Sequence, residues 1–235
     1  LSRHTAHLGT PFDATWRLNQ PSEPVRWVRN LGKIVGFDVD LMDLVAKKLG
    51  VRQEVIDIEF GQITSGAAFT AKKCDAGAAA ITITPERDKA APFSTPYFAS
   101  KQALLVKTDS PVTSLSDMKG KVLSVQTDTS GKVYAEGHEG EFGYSTKVFD
   151  DMPTASNAVL AGTVDGTLND NGVLLDFARE NTSTKVVQEI DTNEHYGFNV
   201  SKDNPALLST INDVLKTAKS DGTFNTIYKI GRAHV

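Results

Sequence analysis

The chain has 235 residues, of which 40% are hydrophobic and 23% charged, and its formal net charge is −4. That length and balance allow a globular core in one large or two small domains, while the acidic excess argues against a nucleic-acid surface, which needs a basic face. No apolar run reaches the ~18–20 residues that span a bilayer, and Leu1 opens no secretory leader, so that a leader has been removed or the chain is incomplete.

Residues 1 to 30 show neither helical nor strand periodicity. The first clear element runs from Gly36 to Val51, with Phe37, Leu41, Leu44, Val45 and Leu49 at helical spacing. Asp38 or Asp40 is the expected cap, Lys47 and Lys48 suit the last turn, and Gly50 is the stop. Val55, Ile56 and Ile58 read as a buried strand ending at Phe60, followed by a helix from Ser65 to Lys73. The only cysteine, Cys74, excludes an internal disulfide and a cysteine-built zinc site, and reads as a small buried apolar residue.

In Asp75 to Thr84, Ile81 to Ile83 are strand formers. Gly77 to Ala80 carry almost no side-chain bulk and admit close approach of another element or a ligand. Thr84 then caps a helix with Pro85 at its first position. Further on, Gln102–Lys107 reads as a strand, Ser114–Gly120 as a helical turn and Val122–Val125 as a strand. Thr127 to Gly131 turn into a helix through Tyr134. Another strand ends at Phe149. Asp151 and Pro153 open a helix that Gly162 closes. A strand from Val164 to Asn169 ends at Asp170, followed by a helix Asn171–Glu180, a strand Lys185–Ile190 and a strand Tyr196–Val200. Asn204 and Pro205 start a helix with Leu208, Ile211, Leu215 and Ala218 on one face, and Thr223 caps a final short helix. The alternation implies an α/β class with largely parallel sheets, in two groups of elements that divide near residue 100.

Three features bear on chemistry. Arg87 falls at the third position of a helix, where a cation opposes the dipole unless an anion is near; the alternative is a surface arginine paired with Glu86 or Asp88. Thr129 and Ser130 open a helix after a strand, where amide groups form an anion site; the alternative is ordinary capping. Asp170 ends a strand, where α/β sheets hold ligands; the alternative is the cap of the helix from Asn171. An α-amino acid needs such a set: donors for its carboxylate and one acid for its ammonium. No catalytic dyad, phosphate loop, dinucleotide fingerprint or metal-ligand spacing among the five histidines is present, so no cofactor, no metal and no catalytic residue is expected.

The segments GKIVGFDVDLMDLVAKKLGV (32–51), ITITPERDKAAPFSTPYF (81–98), SLSDMKGKVLSVQTDTSG (114–131), VDGTLNDNGVLLDF (164–177) and YGFNVSKDNPALLSTINDVLKTAKSDGTFNTIYK (196–229) resemble, in order, the motifs of the polar amino-acid-binding proteins of ABC importers, bacterial extracellular solute-binding family 3. The resemblance implies the two-lobed type II periplasmic binding protein fold with two crossover hinge strands. Lobe 1 would be residues 1–96 plus 197–235, lobe 2 residues 101–192, and the hinge crossings 97–100 and 193–196. It implies a non-enzymatic, monomeric protein, extracytoplasmic in the periplasm or lipid-anchored on the outer membrane face. Such a protein would capture a small polar L-amino acid in an interlobe cleft and deliver it to membrane permease subunits, with no nucleic-acid partner. By motif position, Arg87 would clamp the ligand carboxylate with the hydroxyl of Thr82 and the amides of Thr129 and Ser130. Asp170 would take the ammonium with the carbonyl of Ala80, and Phe60 would stack on the ligand side chain.

The chain departs from the family pattern in places. The family's first strand is not recognisable before Gly32, although Phe12 and Trp16 offer aromatics there. Asp128 stands where glycine is common, and Ile230 to Val235 replaces the family's ending with a string that resembles a translated sequencing adapter. The same fold also hosts cyclohexadienyl and arogenate dehydratases and ligand-sensing domains, which are the competing functions.

Overall fold

The computed structural model describes residues 14–19 and 36–233. The remainder of the irregular opening segment, including Phe12, and the last two residues lie outside the described residues. The chain divides into two compact units, one running to Thr95 and resuming at Gly197, the other Pro96–Tyr196.

The first unit holds a four-stranded sheet in the order β2 (Arg52–Asp57), β1 (Ala14–Asn19), β3 (Ala76–Gly77) and β9 (Asn199–Val200). β1 is a strand where none was expected. It runs opposite Arg52–Asp57 over its whole length and opposite Ala76–Gly77 at two positions. Every pairing in this sheet is antiparallel, contrary to the parallel expectation.

Helix α1 spans Phe37–Leu49 and stops at Gly50, whose φ of 69° is left-handed. Its cap is Gly36 rather than an aspartate, and its buried face is Val39, Leu41, Met42, Val45 and Ala46, rotated from the expected stripe so that Leu49 is exposed. The Phe37 ring meets the edges of Phe224 and Tyr228 on the last helix, α9 (Thr223–Ala233). The face of α8 (Pro205–Asp221), capped by Asn204, buries Leu207, Ile211, Val214, Leu215 and Ala218, with Leu207 in place of Leu208.

Phe60 does not end a strand. It opens a short helix, α2 (Phe60–Thr64), and Gly66 at φ 77° separates this from α3 (Ala67–Thr70). These helices and the segment that follows enclose a core of Ile58, Ile63, Ala68, Phe69, Cys74, Ala79, Ile81 and Ala91, so Cys74 is the small buried apolar residue that its context suggests. At Gly77 the missing side chain is explained by contact within the protein. A Cβ on Gly77 would collide with Asn199 Oδ1 and lie 2.5 Å from Ile63 Cγ2. The strand formers Ile81–Ile83 make no strand longer than an isolated bridge at Thr82 among the described residues: a left-handed Ala80 (φ 50°) precedes this stretch and the cap of α4 (Pro85–Ala90) follows it.

The second unit holds a five-stranded sheet in the order β6 (Ser145–Phe149), β5 (Val122–Gln126), β7 (Gly166–Asp170), β4 (Phe98–Lys107) and β8 (Thr184–Tyr196). Only β5 makes parallel pairs, with β6 and β7; β4 runs antiparallel to β7 and to β8. One face buries Leu104, Val106, Leu123, Val125 and Leu168 against Tyr144 and Met118. The other buries Ala103, Leu105, Val159 and Leu174. The helices are α5 (Ser130–Phe142), α6 (Met152–Leu160) and α7 (Asn171–Glu180), with a 3₁₀ turn at Leu115–Met118. α5 runs two turns past Tyr134, and the expected strand over Tyr196–Val200 is instead the end of β8 followed by the two residues of β9.

Where the chain passes between the units, β4 and β8 lie side by side, with Phe98 opposite Tyr196, Ala99 opposite His195 and Ser100 opposite Glu194. The Phe98 and Tyr196 rings stack there.

Candidate ligand-binding site

Each unit carries its own half of the set of residues singled out above. In the first, Thr84 caps α4 by accepting from the Arg87 amide at 3.2 Å, with Pro85 in the first turn. This fixes the backbone from which the Arg87 side chain leaves. The side chain is half-buried and turns back on its own unit: Nη1 donates to the Thr82 carbonyl at 2.8 Å, and the guanidinium carbon sits 5.4 Å over the Phe60 ring. An arginine that merely paired with Glu86 or Asp88 would not need these contacts. Together they hold a planar five-donor fork in place, which suits a carboxylate, and the cation over the ring adds attraction.

Thr82 and Ala80 are both buried, at 5% and 7% exposure. Ala80 takes its left-handed backbone with its amide donating to Asp38 Oδ2 at 2.8 Å. Asp38 is therefore a buried anchor for this loop rather than a helix cap. Arg87, Thr82 and Phe60 thus come together in the first unit, and Phe60 does so from the start of α2 and not from a strand end.

In the second unit, Thr129 caps α5, accepting from the Lys132 amide at 3.1 Å and donating to the Gln126 carbonyl at 2.8 Å. The preceding Asp128 adopts φ 59°, a left-handed backbone that glycine takes without steric cost. Ser130 Oγ donates to Glu194 Oε2 at 2.9 Å. Asp170 occupies the cap position of α7 but makes no side-chain cap hydrogen bond. Its carboxylate instead accepts from Gln102 Nε2 at 2.5 Å and from the Tyr196 hydroxyl at 2.6 Å, with Asp170 itself 8% exposed. The Gln102 amide also reaches both oxygens of Glu194, at 3.3 and 3.1 Å. Ser100 Oγ lies 2.7 Å from the Tyr196 hydroxyl oxygen; with the tyrosine proton given to Asp170, the serine is the donor.

Gln102, Tyr196, Glu194 and Ser100 were not among the residues singled out from the sequence. Gln102 carried a signal nonetheless: it is an uncharged polar residue directly before the apolar run Ala103–Val106, and buried polar residues are uncommon enough to ask what they bind.

The chain is matched by the model of the bacterial extracellular solute-binding proteins, family 3, over residues 15–230. It is 36% identical over 204 residues to the ABC transporter glutamine-binding protein GlnH of Bacillus subtilis (strain 168), covering 84% of this chain and 72% of the relative. It is 30% identical over 200 residues to the ABC transporter arginine-binding protein 1 of Escherichia coli (strain K12), covering 83% and 80%. Among solved structures it is similar to an ancestral arginine-binding protein bound to arginine, with 38% identity, TM-score 0.78, and 84% of this chain and 88% of that one covered. It is also similar to the arginine-, lysine-, histidine-binding protein ArtJ of Geobacillus stearothermophilus, with 36% identity, TM-score 0.73, and coverage of 84% and 86%.

The fold and its relatives define an extracytoplasmic binding protein, with the two-lobed type II architecture and no enzymatic role. The chain belongs to the bacterial extracellular solute-binding proteins, family 3. The dehydratase and sensor alternatives give way to this reading, because the relatives are binding proteins.

Proposed function

We propose that this protein binds a polar L-amino acid, of the arginine or glutamine kind, and passes it to the membrane subunits of an ABC importer. The observation that carries the reading is one constrained ionic group of opposite sign on each unit. The Arg87 fork is held by Thr82 and Phe60, and the Asp170 carboxylate is held by Gln102 and Tyr196. An α-amino acid is a zwitterion, so it needs both. Arg87 takes the ligand carboxylate, joined by the Thr82 hydroxyl and by the Thr129 and Ser130 amides at the start of α5. Asp170 takes the ammonium, with the Ala80 carbonyl, and Phe60 contacts the side chain. The names of the relatives support the ligand class and the importer.

A thermal-shift screen of the twenty amino acids tests the ligand, since a ligand that binds only the folded state raises its stability by mass action. Removing one partner of a desolvated ion pair costs about 3–5 kcal/mol, or roughly two to four decades in Kd. Arg87→Ala and Asp170→Ala are each expected to abolish calorimetric binding while circular dichroism stays unchanged. Parent-like affinity in Arg87→Ala would return that residue to the protein surface and remove the assignment.

A further inference from the structure

Asp170 is the group on which the ammonium reading depends, and it does not stand by itself. We propose that Gln102 and Tyr196 are positioning residues for Asp170, orienting its carboxylate for an α-ammonium group and so setting the preference for amino acids over analogues that lack the amine. The inference rests on the amino-acid reading given above.

The geometry divides the work between the two oxygens of the carboxylate. Oδ1 is held by the Gln102 amide at 2.5 Å and Oδ2 by the Tyr196 hydroxyl at 2.6 Å. With one firm donor on each oxygen, the carboxylate plane cannot rotate about its bond to Cβ without breaking a charge-assisted hydrogen bond, the stronger kind. Both donors are themselves fixed. Gln102 is fully buried on β4, directly opposite Asp170 on β7, and its amide is also tied to Glu194. Tyr196 is 6% exposed, stacked on Phe98 and hydrogen-bonded to Ser100.

Both donors are also neutral. An amide and a phenol orient the carboxylate without themselves adding a positive charge beside it. Tyr196 is, moreover, the last residue of the second unit, so the group that orients the ammonium acceptor belongs to the crossing strand itself.

The test uses the full chain with L-arginine and L-glutamine, each beside its 2-hydroxy acid analogue, in which a neutral hydroxyl replaces the ammonium. Affinities come from calorimetry for the amino acids and from chemical-shift titration for the weaker hydroxy acids. The readout is the ratio of the two affinities, with the melting temperature recorded beside it. Losing one hydrogen bond to a charged group predicts that Tyr196→Phe weakens amino-acid binding roughly 10- to 100-fold and lowers the ratio by a similar factor, with the hydroxy acid nearly unmoved. Gln102→Leu, similar in volume, is expected to do the same through the other oxygen.

A structural role alone would weaken both ligands by one factor and leave the ratio where it was. That result, or a Tyr196→Phe variant that binds like the parent, overturns the inference. Asp170→Asn separates it from the underlying reading. If Asp170→Asn keeps the parent ratio, or if the parent binds neither amino acid, the ammonium assignment itself fails. If the ratio collapses in Asp170→Asn but survives in both Tyr196→Phe and Gln102→Leu, the positioning role alone is wrong.

Discussion

Gly131 makes the packing behind Asp170 measurable. It is the second residue of α5, and a Cβ built on it would lie 2.6 Å from Gln102 Oε1 and 3.5 Å from the Leu168 carbonyl oxygen. Helix propensity alone favours Gly131→Ala by about 0.8–1 kcal/mol. Against that, the glutamine amide cannot step aside cheaply, because Gln102 has no exposed surface and its Nε2 is engaged by Asp170 and Glu194. Forcing a methyl into such a site costs about 1–3 kcal/mol, so the overlap equals or exceeds the gain. The same helix supplies the control. Gly137 and Gly140 are exposed, with nothing within 4 Å of a built Cβ, and Gly137→Ala and Gly140→Ala are expected to stabilise by about 0.5–1 kcal/mol each. Urea unfolding of the three variants isolates the collision: Gly131→Ala should fall below the other two by about 1–3 kcal/mol. It should also bind its amino acid more weakly, since moving Gln102 disturbs Asp170. If all three substitutions stabilise equally, the packing described around Gln102 is wrong.

Gly77→Ala has no such offset, since its Cβ would meet Asn199 and Ile63 inside the core of the first unit; a loss of at least ~1–3 kcal/mol is expected in the same denaturation assay. Phe60→Ala removes the ring beneath Arg87, and a roughly ten-fold loss of affinity with a changed rank order in the amino-acid screen is expected; an equal loss for every ligand would make the ring purely structural. Three carboxylates, Asp117 and Asp221 exposed and Glu139 partly so, link stability to acid. Hydrogen bonds from Thr113 and Ser114 hold Asp117 below its ordinary 3.8, those from Thr146 hold Glu139 below 4.5, and those led by Thr223 hold Asp221 below 3.8. A depressed folded value means that the stabilisation is complete above the ordinary value and is lost as pH falls through the folded one. Melting temperature should therefore decline below about pH 4.5, and less steeply in Asp117→Asn, whose amide cannot titrate; equal slopes would deny Asp117 a part.

The elements legible in the sequence were those with local signals. The Thr84-Pro85 start, the Asp151 and Asn204 caps and the Gly50 stop each depend on neighbours within a few residues, and the structure places each where the sequence does. β1 escaped because ATWRLN offers only Trp16 and Leu18 in alternation, too short a run to stand out from an irregular flank. Ile81–Ile83 misled for the opposite reason: β-branched residues suit a strand, but pairing here stops at an isolated bridge at Thr82 and the Gly197 amide on the Ile81 carbonyl before the Thr84 cap turns the chain into α4. The parallel expectation failed because alternation of strands and helices along a chain does not reveal that β4 and β8 run side by side in opposite directions.

The site divides along the same line. Arg87 and the start of α5 are marked by short motifs, and Asp170 by its place at a strand end, but what holds Asp170 is a matter of register between distant strands. Gln102 faces Asp170 only because β4 pairs with β7 in that register. Glu194 reaches Gln102 through an irregularity in β8. Between Ser100 and Gln102 the β4 strand advances two residues, while its partner positions on β8 move from Glu194 to Ile190. The extra length is taken up around Asn193, which sits at φ 54° with its amide donating to Asp191. A bulge of this kind re-aims the side chains beside it, and the residues it re-aims lie on the strand that ends the second unit at Tyr196. The contacts that pairing and bulge create at Gln102 join it to residues 68 and 92 positions away, which no local pattern encodes. A substitution that straightened the bulge would accordingly be felt at Asp170 without touching it, through Glu194 and the glutamine amide that they share.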